Sequence, residues 1–197
     1  MAKVVAEMSM SLDGFIADPT GGVGELFGWY ANGPVAVAMP GSAHTFRVSE
    51  ASAGHLREGL ARIGSLVTGR RTFDIAEGFG GSHPYDVPVF VVTHTIPAGW
   101  PRADAPFTFV TEGVERAVAQ ARAVVGDKCV GVGAADIVRQ CLAAGLLDEI
   151  VVNLVPVLLG KGTHFFDQLA AAPIALDTPR VVEGTGVTHL YYCVRPR

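Results

Sequence analysis

The 197-residue sequence has little charge: Asp, Glu, Lys and Arg together make up 17% of it. It has no run of Lys or Arg, and its formal net charge is −4, which argues against a surface for nucleic acid or for an anionic membrane. Long apolar runs are missing as well. No uninterrupted stretch approaches the ~20 residues of a membrane span, and the first residues hold no signal-peptide core, so a cytoplasmic protein is expected. Cysteine is scarce. Cys129, Cys141 and Cys193 are an odd number at unrelated spacings among apolar neighbours. They read as small buried hydrophobes in a reducing compartment, not as a disulfide framework. No His/Cys group has zinc-site spacing, so no metal is expected. The sequence also lacks the His-x-Glu and Pro-Cys-x-x-Cys of a zinc deaminase, a Walker phosphate loop and a Gly-x-Ser-x-Gly elbow.

What is present suits one domain over residues 1–197. Hydrophobic residues reach 49%, enough for a core without metal or disulfides. The 24 glycines and 12 prolines are scattered as punctuation, not gathered into a linker. Val4, Ala6, Met8, Met10 and Leu12 alternate with Glu7, Ser9, Ser11 and Asp13. This period of two predicts a strand over residues 4–12, ended by Asp13-Gly14. Residues 18–24 read as a Pro/Gly-rich loop, and 26–30 are apolar with no clear period. Phe46, Ala53, Leu56, Leu60 and Ile63 recur at three and four, which predicts a helix over residues 43–64.

Short strands are expected over residues 66–68, 87–93, 107–110 and 129–132. Thr111 is the expected N-cap of a helix whose stripe is Val114, Ala117, Val118, Ala121 and Val125. Another helix follows Gly133-Ala134-Ala135 and runs to Ala144. A strand over residues 150–159 is interrupted by Pro156, and residues 180–183 and 187–194 read as a closing hairpin. Alternating strands and helices predict an α/β sandwich with a largely parallel sheet and an antiparallel edge.

Four places carry possible chemistry. Gly69-Arg70-Arg71-Thr72 sits at a strand-to-helix junction, where a bare backbone and a guanidinium suit a phosphate, although taken alone it reads first as a solvated basic turn. Gly131-Val132-Gly133-Ala134-Ala135-Asp136 would bring a pyrophosphate to a helix N-terminus, although Asp136 also reads as an ordinary first-turn acid. Thr93-His94 follows a strand, where a ribose or its 2′-phosphate could be met, and also reads as a plain loop start. Asp13, at a strand end, could relay a proton or hold a hydroxyl, or simply form a turn.

Taken in order, Ser11-Leu12-Asp13-Gly14-Phe15-Ile16-Ala17, Gly69-Arg70-Arg71-Thr72-Phe73 and Val89-Phe90-Val91-Val92-Thr93-His94 resemble one known family. It is the C-terminal reductase domain of the riboflavin-biosynthesis bifunctional deaminase-reductase, in the dihydrofolate-reductase-like superfamily. Residues 133–142, Ala144-Gly145-Leu146-Leu147-Asp148-Glu149-Ile150 and Pro156-Val157-Leu158-Leu159-Gly160-Lys161-Gly162 agree with it, and the resemblance spans residues 3–194.

The resemblance implies a dihydrofolate-reductase-like three-layer sandwich with NADPH in a cleft. Gly69, Arg70, Arg71 and Thr72 would hold the phosphates, and Thr93 and His94 would meet the 2′-phosphate. Gly133, Ala134, Ala135 and Asp136 would form the turn under the pyrophosphate, with Ala134 where the family has a second glycine. Ala6 and Ile16 would flank the nicotinamide, and Asp13 would be the acid near the substrate. The implied reaction is hydride transfer to a pterin- or pyrimidine-like heterocycle. The Leu-Pro-Trp and helix acid of dihydrofolate reductase are not recognisable: Trp29-Tyr30 and Glu50 are the nearest counterparts, so folate reduction is the lesser alternative. A non-catalytic nucleotide- or drug-binding protein on the same fold is another. Family analogy implies a two-fold dimer through residues 156–162 and the closing hairpin.

Overall fold

Residues 1–170 and 172–195 are described by the computed structural model. The alternating segment at the start forms β1 (Val4–Ser11), followed by short β2 (Phe15–Ala17), α1 (Gly24–Phe27), β3 (Val35–Ala38) and β4 (Thr45–Val48). Then come α2 (Glu50–Arg62), β5 (Ile63–Gly69), α3 (Arg70–Ile75), β6 (Val89–Val92), β7 (Phe107–Val110), α4 (Val114–Val124), β8 (Cys129–Val132) and α5 (Ala135–Ala143). The chain closes with β9 (Glu149–Val155), β10 (Thr163–His164), β11 (Arg180–Gly184) and β12 (Val187–Cys193).

Eight strands form one sheet in the order β11-β12-β9-β1-β8-β5-β6-β7. The six from β9 to β7 pair in parallel, while β12 and β11 add antiparallel to β9. Two-stranded pairs β2·β10 and β3·β4 lie outside it. This is the expected α/β architecture, parallel in its body with an antiparallel C-terminal hairpin.

A parallel sheet needs cover on both faces. On one face Val4, Ala6, Val67, Val130 and Val132 pack against Val114, Ala117, Val118 and Ala121 of α4 and Ile137, Val138 and Cys141 of α5. On the other lie Val5, Ile63 and Val151 with Tyr85, and a neighbouring cluster joins Leu26, Trp29, Val48, Ala53, Leu56 and Val187. Each fully buried valine contributes roughly 1.5–3 kcal/mol.

Several expectations need correction. The helix expected over residues 43–64 begins only at Glu50: Phe46 is in β4, paired with Val37, and Ser49 caps α2 by accepting from the Ser52 N–H at 3.3 Å. Apolar spacing across a strand–helix junction mimicked one helix. Thr111 is not the cap of α4. Gly113, at φ +97°, makes that turn, and Thr111 instead donates to Glu112. Strand β9 stops at Val155, because Pro156 has no N–H to continue the ladder. Residues 26–30 are helical turns rather than formless. Leu12 is 64% exposed, unlike the other apolar members of its alternation. Of the cysteines, Cys141 is buried but Cys193 is exposed.

Candidate active site

Because β6, β5, β8 and β1 are parallel neighbours, their carboxyl ends share one edge of the sheet, where α/β proteins hold ligands. The chain leaves β5 through Gly69 into α3, and leaves β8 through Gly133-Ala134 into α5. The two turns touch. The Gly133 N–H donates to the Val67 carbonyl at 3.0 Å. A Cβ on Gly69 would stand 3.3 Å from the Ile137 side chain and 3.9 Å from Ala134 Cβ. Above Gly133 there is open space, with nothing within 4 Å of where its Cβ would be. Ala134 takes φ +83°, ψ 130°, a conformation that favours glycine, and no side chain caps α5. The first N–H groups of α5 are therefore free for an acceptor.

The rim is basic and polar. The Arg70 guanidinium bonds Asp74 and the Thr95 carbonyl, while Arg71 is exposed and has no partner among the described residues. Thr72 is half-buried. The buried Thr93 hydroxyl donates to the Thr95 carbonyl at 2.8 Å, which shapes the turn and leaves His94 exposed. Ala6 is fully buried opposite Val132, and Ile16 packs in the same cluster with Ala135. The edge thus brings the turns of residues 69–72, 93–94 and 133–135 together, with Ala6 and Ile16 in the core beneath. Asp136 is turned away, its carboxylate tied to Arg139 and Gln140 along α5.

Asp13 is a clamp. One oxygen accepts from the Ser11 hydroxyl at 2.6 Å and the Leu159 N–H at 3.1 Å, and the other from the Gly160 N–H at 2.7 Å. The Ser11 bond, with those backbone N–H groups, pulls its pKa down to about 2. A carboxyl held that low is ionised at neutral pH and has no proton to donate.

A family model described as the RibD C-terminal domain matches residues 2–181. The chain belongs to that family. It is an oxidoreductase of the pyrimidine-reductase type found in riboflavin biosynthesis. Among solved structures, a protein assigned to riboflavin biosynthesis from Shewanella sp. PV-4 is 25% identical, with TM-score 0.73 over 100% of both chains. Dihydrofolate reductase from Enterococcus faecalis, complexed with NADP(H), is 16% identical, with TM-score 0.58 over 98% of this chain and 97% of that one. The Thermotoga maritima diaminohydroxyphosphoribosylaminopyrimidine deaminase/5-amino-6-(5-phosphoribosylamino)uracil reductase is 12% identical, with TM-score 0.61 over 98% of this chain and 57% of that one. At those last two identities the likeness is one of fold. No curated protein sequence matches the chain.

In this member of the RibD C-terminal domain family the polar side of β1 is not solvent-facing. Ser9 is buried and accepts from the Trp29 indole at 3.1 Å. Glu7 Oε1 accepts from Asn153 Nδ2 at 3.0 Å and lies 2.9 Å from His55 Nε2, out of line for a hydrogen bond. Asn153 Oδ1 in turn accepts from His189 Nδ1 at 2.7 Å, and Ser52 Oγ lies 3.0 Å from His189 Nε2. Burial pushes His189 down to about 3, so its ring is neutral and Ser52 donates to it. Burial pushes the Glu7 carboxyl up, but His55 and Asn153 outweigh it and the net shift is downward. Of these residues only Trp29 was singled out in the sequence; for Glu7 the only signal was a Glu in an otherwise small-residue stripe. Glu50, the helical acid considered there, lies on the surface with a side chain 80% exposed.

Proposed function

We propose that the edge formed by residues 69–72, 93–94 and 133–136 binds NADPH, and that the protein reduces a conjugated C=N or C=O group of a small pyrimidine- or pterin-like heterocycle. The observation that carries this reading is the contact between the two glycine turns beneath open space at Gly133. A phosphate chain bound there would be held by the first N–H groups of α5 and by the guanidinium of exposed Arg71, which has no partner among the described residues. Gly133, with open space where a side chain would stand, fits the cofactor as a cradle that a side chain would fill.

When bound, NADPH supplies the hydride, whose electron pair makes the new C–H bond. The proton that completes the addition comes from water, because Asp13 is ionised. Asp13 serves instead as a positioning residue that fixes Leu159-Gly160 beside the end of β1, with lone pairs left for a substrate hydroxyl. Exposed His94, just past the end of β6, would favour a 2′-phosphate, hence NADPH over NADH.

No described helix is long and apolar enough to cross a membrane. Unpaired cysteines, one of them exposed, suit a reducing cytoplasm. The same family analogy supports a homodimer through residues 156–162 and the β11–β12 hairpin.

The test is NADPH oxidation at 340 nm with a panel of aminopyrimidines, pyrimidinediones, pterins and dihydrofolate. Turnover of a pyrimidine or pterin is expected. Tight NADPH binding with no turnover of any of them would make the protein a binder instead.

A further inference from the structure

Strand β8 turns Val130 and Val132 toward α4 and α5. By alternation, its positions facing α2 are Gly131 and Gly133, so the middle of the sheet is bare backbone on that face. Leu66 of β5 leans over Gly131, where a Cβ would stand 2.5 Å from Leu66 Cδ2; nothing lies within 4 Å of the same point on Gly133. The result is a short slot. It is plugged at half-buried Leu66 and opens at the carboxyl edge of the sheet, at the same Gly133 that opens the cofactor cradle.

The segments beside this slot touch one another. On one side is α2. On the other, residues 76–88 run back from the end of α3 to the start of β6. Phe79 packs there with Phe73, Val89 and Val91, and Tyr85 with Val5, Ile63 and Val151. Tyr85 also reaches α2: a Cβ on Gly59 would stand 3.1 Å from its hydroxyl. The β3–β4 hairpin crosses between the two sides. Val37 and Val48 of the hairpin pack with Ala53 and Leu56 of α2. At its tip the Gly41 N–H donates to the Pro84 carbonyl at 2.9 Å. The tip sits so close that a Cβ on Gly41 would collide with the His83 carbonyl oxygen. Gly41 has no left-handed φ, so what it supplies here is space.

We propose that the seating of Gly41 on residues 83–84 shuts the side of the slot between α2 and residues 76–88, and so makes the reductase selective for a heterocycle that carries no long, rigid arm. The proposal rests on the reductase reading. With that side shut, a substituent on the ring can leave only through the mouth at Gly133, where the cofactor lies. A short, flexible polar arm can turn out beside the cofactor. A stiff aryl arm meets the hairpin tip or the segment it sits on, and the contact between these two is backbone against backbone, which cannot swing aside as a side chain can. Rejection by such a clash needs no added attraction for the accepted ring.

6-Methylpterin and folic acid carry the same ring and differ in the p-aminobenzoylglutamate arm. Each is titrated by calorimetry into the wild-type protein saturated with NADP+. 6-Methylpterin is expected to bind about tenfold or more tighter, since specificity here is a clash with the longer ligand. In Gly41→Val the tip cannot seat, so folic acid should gain affinity and the two should converge while NADP+ affinity is unchanged. If Gly41→Val does not fold, Tyr85→Ala, which removes the contact of residues 76–88 with α2 and adds no clash, should bring the same convergence. Folic acid binding as tightly as 6-methylpterin to the wild type, binding of neither, or a preference that survives in the folded variant would overturn the proposal. Failure of the wild type to bind NADP+ or NADPH would instead defeat the reductase reading.

Discussion

Ala134 adopts a backbone conformation that a Cβ disfavours, at the turn expected to lie under a pyrophosphate. Relieving such strain is worth of order 1–3 kcal/mol, less the extra unfolded-state freedom of glycine. Ala134→Gly should therefore raise stability by about 1 kcal/mol in urea unfolding and tighten NADPH. Asp13 gives a prediction of opposite kind. Its pKa is depressed from 3.8 to about 2, so the stability it contributes is present above 3.8 and lost as pH falls toward 2. Asp13→Asn should cut turnover with NADPH affinity nearly intact, and should leave the neutral part of the pH–rate profile unchanged in shape. An acid limb near neutrality that vanished in the variant would restore a proton-transfer role.

Individual residues were unevenly legible in the sequence. Asp13 could be singled out from its Ser-Leu-Asp-Gly context, but not its clamp, because its backbone partners lie 146 and 147 residues away. Glu7 was hidden by its own alternation. A period of two separates two faces of a strand but cannot say that both are covered, and here α2 and Trp29 cover the polar one.

At the scale of elements, segments with one period and a glycine stop were legible: α4, α5, β8 and the β11–β12 hairpin stand within a residue or two of expectation. The β4–α2 junction was not, since Phe46 continued the helical spacing by coincidence. The β8–α5 turn is the element on which the cofactor site depends. Gly133 has no left-handed φ and no neighbour within 4 Å, so Gly133→Val should fold normally and lose NADPH binding by about tenfold or more, as a side chain fills the cradle. Differential scanning and cofactor titration separate the two effects.

The packing of α2 on β12 is expected to be acid-sensitive. His189 is lowered from 6.5 to about 3 and His83 to about 4, each by burial. The unfolded chain takes up these protons first, so stability is full above pH 6.5 and falls as pH drops below it. At about pH 5 the loss is about 2 kcal/mol for the fully buried His189. His189→Gln should flatten its share of the melting-temperature decline between pH 7 and 5. An unchanged decline would place the acid sensitivity elsewhere.

For the whole molecule, strand order turns weak local signals into a site. Three turns separated by tens of residues meet because β6, β5 and β8 are adjacent and parallel. No periodicity in the sequence fixes that adjacency; the ordered resemblance to a family did. Assembly is argued at this scale too. Leu158 and Val181 are 69% and 51% exposed, and among the described residues β11 ends the sheet with an unpaired edge. Light scattering should find a dimer, and Val181→Lys should shift it toward monomer. A wild-type monomer at all concentrations would contradict this.

The central claim is that the two glycine turns make one cofactor cradle. A fluorescence titration of the wild-type protein with NADPH and with NADH, set beside Gly133→Val, tests it most directly. Saturable quenching by NADPH, weaker by NADH and abolished in the variant, is the predicted result. No response to NADPH, or an equal response in a correctly folded Gly133→Val protein, would contradict it.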